Sequence, residues 1–200
     1  ELCAPIVDQE TILAIESKRT GGKTEFFSLE LTQGDACVAL AHVTCGAHRV
    51  RDLDRTPTRT LPPRSGAIVD EALLMPPFAR FFTYEPTRGQ IPMGGSDDAV
   101  LTSGGWIEPK FDCPRDRALV VALIDAWWPA ILGAARSPRP MGTMSFAMDF
   151  LSPPVQEPGP FYLEISTAHV SNGYSLEINE LWDHQGNLLA RAQQNIAVIR

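Results

Sequence analysis

The 200-residue chain is short of basic charge: 17 Lys and Arg stand against 24 Asp and Glu, a formal net charge of −7. That balance argues against nucleic acid as a partner, because such binders normally carry a basic face. A polyanionic small molecule stays compatible, held by a few local Arg residues. No run of about 18 apolar residues occurs, so no membrane span is expected. The opening residues, Glu1 to Pro5, lack the basic and apolar regions of a secretory leader, and a cytoplasmic location is expected. Cysteine is sparse: Cys3, Cys37, Cys45 and Cys113 form no CxxC pair, and no His stands at a zinc-finger spacing. Four cysteines do not make a disulfide scaffold; reduced, buried or half-buried thiols are expected. The GxSxG elbow is missing, which argues against an α/β-hydrolase serine mechanism. His42, His48, His169 and His184 fall in no HExxH pattern and read as surface or strand residues. Neither a metal nor any other cofactor is expected.

What the chain does have is repetition. Hydrophobic residues make up 44% of it, enough for a packed core. Near the start it reads Leu13-Ala-Ile-Glu-Ser17, then Phe27 to Gly34, then Ala39-Leu-Ala41. Near the end it reads Leu163-Glu-Ile-Ser-Thr167, then Ser175 to Leu181, then Ala190-Arg-Ala192. The offset stays near 150 residues throughout. Two copies of one unit imply a pseudo-symmetric pair. A long apolar stretch precedes the second copy, and no counterpart precedes the first.

The first copy reads as three strands, at 12–18, 24–32 and 36–47. In the middle one Phe27, Leu29 and Leu31 share a face. Gly21-Gly22 and Gln33-Gly34-Asp35 are hairpin signals. Residues 51–66 lose periodicity and read as a linker. Beyond it, short strands are expected at Arg80 to Tyr84 and from Trp106, with a Gly-rich acidic loop at 88–98 between them. Asp116 is placed to cap a helix beginning near Arg117. Leu119, Val120, Leu123, Ile124, Trp127 and Trp128 make that helix apolar on nearly every face, which predicts a buried helix. Strands follow at about 142–151, 160–170, 173–183 and 188–198, with turns at Ser171-Asn172-Gly173 and Asp183 to Gly186. Antiparallel strands around one apolar helix, with no helices between strands, define an α+β hotdog rather than a doubly wound sheet.

Three side chains stand out. Asp125 lies inside the apolar helix, where an unpartnered charge is costly, so it should be paired or line a pocket. Pro129 follows four residues later and cannot donate to the Asp125 carbonyl, so a kink is expected there. A polar group at a broken turn suits a watered site; the plain alternative is an Asp bonded to backbone at a helix end. Thr143 begins the next strand and on its own is unremarkable for a strand. Gln194 interrupts the face shared by Leu188, Ala190, Ala192, Ile196 and Val198, while Gln193 points the other way. A buried Gln needs partners. Trp127, Trp128, Met141, Phe146 and Met148 suit either plain core or the wall of a tunnel.

Four stretches then bring in a family: Gly104-Gly-Trp-Ile107, Ile124 to Ala130, Gly142 to Pro154, and Leu181 to Gln194. In this order and spacing they resemble the double-hotdog acyl-CoA thioesterases of type II, over almost the whole chain and most densely from 104 to 200. The resemblance implies an α+β double hotdog, an antiparallel sheet wrapped around a central helix, with the N-terminal hotdog of this chain lacking its helix. Residues 1–50 would be the incomplete first repeat, 51–75 the linker and 76–200 the complete second hotdog. It also implies hydrolysis of acyl-CoA or another acyl thioester, with Asp125, Thr143 and Gln194 holding a water that attacks the carbonyl. That chemistry needs a proton acceptor and donors to the developing oxyanion, for which backbone N–H groups near the helix are candidates. A homodimer or higher homo-oligomer is implied as well. A hotdog dehydratase and a non-catalytic acyl-thioester-binding or assembly module are the alternatives. The sequence departs from the family at Met144-Ser145-Phe146, which alters pocket polarity, and in the missing first helix. An uncovered apolar sheet face is unfavourable in water, so a further segment or another chain is expected to cover it.

Overall fold

The computed structural model describes every residue except 48, 50, 51, 71–75, 90, 91, 154, 155 and 200. The expectation for His48 and parts of the 51–75 stretch therefore fall outside the described residues. The chain divides into two compact units, residues 1–55 with 143–145, and residues 56–142 with 146–200.

The first unit is a three-stranded antiparallel sheet of β1 (Ile12–Thr20), β2 (Thr24–Gln33) and β3 (Ala36–Gly46), in that order. Its register aligns Leu13 with Leu31 and Ala39, Ile15 with Leu29 and Ala41, and Phe27 with Val43. One face is thus apolar from edge to edge, as the alternation of β2 predicts. Leu13 and Ile15 on it are 51% and 62% exposed. No helix occurs among the described residues of this unit. Gln33 closes it structurally: its amide donates to the Val7 carbonyl at 2.8 Å and accepts from the Val7 N–H at 3.1 Å.

The second unit is a six-stranded sheet in the order β4-β5-β7-β8-β9-β6. The strands are β4 (Phe82–Gly89), β5 (Thr102–Pro109), β6 (Met141–Phe150), β7 (Phe161–Ser171), β8 (Tyr174–Trp182) and β9 (Leu188–Val198). Arg80 and Phe81 are not strand, as expected from sequence, but part of a 3-10 turn over Pro77–Phe81. Proline is pre-shaped for the first position of such a turn. β4 is an edge strand, which lets it carry Pro86 beside a bulge. Asn172 and Gly173 have φ of 53° and 82°, the mirror-image turn a two-residue hairpin needs.

Among the described residues one α-helix, α1 (Arg117–Asp125), lies on the sheet. Asp116 caps it, its Oδ1 accepting from Ala118 N at 2.9 Å and Leu119 N at 3.1 Å. Leu119, Val120, Leu123 and Ile124 enter the core with Ile107, Leu163, Ile165, Leu181, Ala190 and Ala192. The helix is shorter and less buried than its composition predicts. It stops at Asp125 rather than kinking, and its other face, with Val121 and Ala122, is exposed. Those residues recur at i, i+1 and i+4 with Asp125, so they share the face turned away from the sheet. No helix among the described residues is long and apolar enough to cross a membrane.

The stretch expected to be a featureless linker is held along the sheet. Pro57 O accepts from Leu188 N at 3.3 Å, and Arg59 N donates to Gly186 O at 3.0 Å. The Arg59 guanidinium lies over Trp182 and Tyr162, 4.5 Å and 5.2 Å from the ring centres, and pairs with Glu164 at 3.1 Å. Arg64 and Gly66 N both bind the buried Glu85 carboxylate, at 2.6 Å and 2.7 Å. Their charge assistance and the Gly66 N–H pull the Glu85 pKa down, outweighing its burial. Arg and Pro suit this strap, which is tied by side chains and, around the Thr58–Asn187 bridge, by backbone bonds. All four cysteines are free; Cys37 and Cys113 are half-buried as expected, but Cys3 and Cys45 are exposed.

Candidate active site

The C-terminal end of α1 leaves backbone groups without intrahelical partners. Side chains from the sheet take them up. Asn179 Nδ2, on β8, donates to the Ile124 carbonyl at 3.3 Å. The Tyr84 hydroxyl, on β4, donates to the Ala126 carbonyl at 2.9 Å. Past Pro129 the chain re-forms a 3-10 turn, Ala130–Gly133. The buried Glu177 carboxylate accepts from Ala130 N at 3.0 Å and Ile131 N at 2.9 Å, and from Ser175 Oγ at 3.2 Å. Burial raises the Glu177 pKa, and these three donors act against it. The broken turn is thus clamped on both sides. The Ala130 and Ile131 N–H groups just past the break are used by Glu177.

Asp125 sits at this break. Its Oδ1 accepts from Gln194 Nε2 at 2.9 Å, across 69 residues of sequence. Gln194 is buried, 5% exposed, and Gln193 beside it is exposed, as the β9 alternation predicts. Asp125 itself is not enclosed, contrary to its expected place in a buried helix, because it lies on the outward strip of α1. Protein packed around part of the carboxyl disfavours its charge and pushes its pKa up to about 6, while the Gln194 bond pulls the other way. Solvent at the open edge moderates this rise without reversing it.

Both amides near Asp125 have a fixed polarity. A carboxylate and a backbone carbonyl can only accept. Asp125 therefore demands the N–H side of Gln194, and Ile124 demands the N–H side of Asn179. The remaining contact follows: Asn179 Nδ2 donates to Gln194 Oε1 at 3.2 Å. Asn179 Oδ1 is buried without a hydrogen-bond partner among the described residues. Such a group costs about 1–3 kcal/mol. The sequence reading missed Asn179 and Glu177. Their signal is the period-two set Ser175, Glu177, Asn179 and Leu181, polar on the face that carries core further along.

An apolar groove of about 590 Å³ opens onto Asp125, lined by Phe78, Phe81, Phe82, Phe111, Val121 and Ala122. None of the five residues considered as tunnel wall lines it. Trp127 is core, its Nε1 donating to Ser103 Oγ at 2.8 Å, and Trp128, Met141, Phe146 and Met148 pack against the core. The groove is built from three separated segments, so no periodicity announces it. Thr143 is half-buried on β6, the edge strand beside β9, and groups with the first unit. Of the three expected site residues, Asp125 and Gln194 are thus joined by a described bond. His42 and His169 are exposed on β3 and β7, and His184 lies in the turn before β9.

The arrangement of one helix against an antiparallel sheet recurs in solved structures. A hot dog fold protein of unknown function from Alicyclobacillus acidocaldarius superposes with a TM-score of 0.84 at 20% identity, over 100% of this chain and 76% of that one. A candidate thioesterase II from Thermobifida fusca gives 0.83 at 18% identity, over 100% and 76%. The acyl-CoA thioesterase II TesB2 of Mycobacterium marinum gives 0.64 at 16% identity, over 94% and 73%. At these identities the likeness establishes the hotdog fold. No curated protein matches the sequence. The family model for the acyl-CoA thioesterase C-terminal domain matches residues 51–198, and the chain belongs to that family.

Proposed function

We propose that the protein hydrolyses acyl-CoA thioesters with a water held by Asp125, Gln194 and Thr143. The observation that carries this reading is the Gln194–Asp125 bond of 2.9 Å at the end of an apolar groove. The groove seats the acyl chain, and the thioester carbonyl lies at its Asp125 end. Asp125, with a pKa near 6, accepts a proton from water at neutral pH. The water oxygen bonds to the carbonyl carbon, and the proton passes to the carboxylate. The tetrahedral oxyanion then collapses, the C–S bond breaks, and the proton leaves with the CoA sulfur. Gln194 keeps the carboxylate oriented, and Thr143 is the third holder of the water, by family resemblance. On this reading residues 1–50 are an incomplete first repeat, 51–75 the connection and 76–200 the complete hotdog.

The test is release of free CoA thiol from a panel of short, long, branched and aromatic acyl-CoAs. Wild type should hydrolyse at least one class, and Asp125→Asn should lose the activity while staying folded. No turnover of any member by wild type would overturn the reading in favour of a binding or assembly module. A dehydratase would instead interconvert a β-hydroxyacyl and an enoyl thioester and leave the C–S bond intact; no His is among the described residues lining the groove.

A further inference from the structure

The two sheets repeat one another, and their registers can be laid side by side. Leu13, Leu31 and Ala39 form one cross-strand row in the first sheet; Leu163, Leu181 and Ala190 form it in the second. The next row is Ile15, Leu29 and Ala41 in the first, and Ile165, Asn179 and Ala192 in the second. Beyond it, Phe27 faces Val43 in the first, and Glu177 faces Gln194 in the second. The copies agree in apolar character until they reach the broken turn of α1. There Leu29, Phe27 and Val43 give way to Asn179, Glu177 and Gln194. The first sheet shows that this backbone forms with apolar residues at all three places. A buried polar residue where an apolar one serves is unfavourable unless its hydrogen bonds are needed.

Asn179 is the least explained of the three by folding alone. It meets an α1 carbonyl and the Gln194 amide with Nδ2, yet leaves Oδ1 buried and without a hydrogen-bond partner among the described residues. We infer that Asn179 is a positioning residue that locks the Gln194 amide with its N–H turned to Asp125. This rests on the reading of Asp125 and Gln194 as the catalytic pair. Without the donor from Asn179, the Gln194 amide loses its tie to β8 and the end of α1, and its Nε2 shifts away from the Asp125 carboxylate. A displaced Nε2 bonds the carboxylate less well and no longer orients it. Asn179 thereby acts through Gln194 and touches no reacting atom.

Asn179→Leu, which restores the residue type of the first sheet, is the test variant, with Asn179→Ala as the second should Leu fail to fold. Two readings are taken together: the pH dependence of kcat, and the titration of the Asp125 carboxyl followed by carbon-13 NMR. Loss of the Gln194 bond should raise the Asp125 midpoint, because that bond favours the charged form. The same rise should appear in Gln194→Ala, and the double variant should add nothing further. kcat should fall by about 10- to 100-fold with KM little changed. A merely structural Asn179 would lower the melting temperature and leave the titration midpoint where it is. If wild type is active and the variant keeps its midpoint and kcat, the inference is overturned and the catalytic reading survives. If wild type turns over no acyl-CoA, the catalytic reading falls, and the carboxyl titration still decides whether Asn179 orients Gln194.

Discussion

Replacing Asp125 by Asn should make the protein more stable while making it inactive, and the gain should depend on pH. The carboxyl is the same size as the amide, and Asn Oδ1 can still accept the Gln194 N–H. What changes is the charge. Asp125 has a folded pKa near 6 against 3.8 in an unstructured chain, with desolvation the main cause. A carboxyl shifted that far costs roughly 3 kcal/mol once ionised, if it is fully enclosed. Asp125 keeps an open edge, so screening brings the cost to about 1 kcal/mol or less. For a chain of this size that is about 2–4 °C in melting temperature. The sign follows from the raised acid. The folded state holds the proton better than the unfolded state, so wild-type stability is full below pH 3.8 and declines as pH rises through 6. Asn cannot ionise and loses nothing over that window. Thermal melts of both proteins at pH 4, 5, 6, 7 and 8 measure the difference. It should be near zero at the acid end, grow between pH 4 and 6, and level off above about 7. A difference that is flat with pH, or an Asn variant less stable at pH 8, would refute the account of Asp125 as a charge held against desolvation. The pattern also separates a site residue from a structural one, since a residue kept for folding loses stability when replaced.

Other outcomes follow from single contacts. The kcat of wild type should fall on the acid side with a midpoint near pH 6, the ionisation of Asp125; a midpoint near 4 would remove it as the base. Glu177→Leu leaves the Ala130 and Ile131 N–H groups buried and unmet, at about 1–3 kcal/mol each, and should lower the melting temperature by several degrees. An unchanged melt would show that water or the turn itself satisfies them. Gly186→Ala should release the 57–66 strap: Gly186 has φ of 85°, and a Cβ there would lie 2.1 Å from the Arg59 carbonyl oxygen. Proteolysis after Arg55, Arg59 or Arg64 should then quicken relative to wild type. Asp116→Ala should cost about 1 kcal/mol through loss of the α1 cap, read as a lower melting midpoint in denaturant.

Much of this molecule was legible in the order of its residues. Hairpin signals, alternation and the Asp116 cap locate the strands and the start of α1, because each rests on neighbours close in sequence. The repeat identifies two sheets of one kind. Asp125 and Gln194 stand out as polar groups in apolar surroundings, and the family resemblance adds Thr143. The extent of α1 was less legible. Its apolar residues predict an enclosed helix, yet composition cannot say which side of a helix finds a neighbour. Arg80 and Phe81 misled for the same reason: a short apolar stretch after Pro76 and Pro77 suits a strand or a tight turn equally well.

Sequence by itself determined the element types, the pattern of inward and outward residues on β2 and β9, and two of the groups at the site. Tertiary structure alone decided how those groups are held. The Asn179–Gln194–Asp125 chain joins β8, β9 and the end of α1, and its polarity exists only once the strand register and the Ile124 carbonyl are fixed. The groove of Phe78, Phe81, Phe82 and Phe111 joins a 3-10 turn, an edge strand and a loop, none of which signals the others. The 57–66 strap has no periodicity because its partners are a carboxylate, two aromatic rings and a glycine carbonyl elsewhere in the chain. Local patterns record which side chains seek burial; only the folded register decides which buried polar atoms meet.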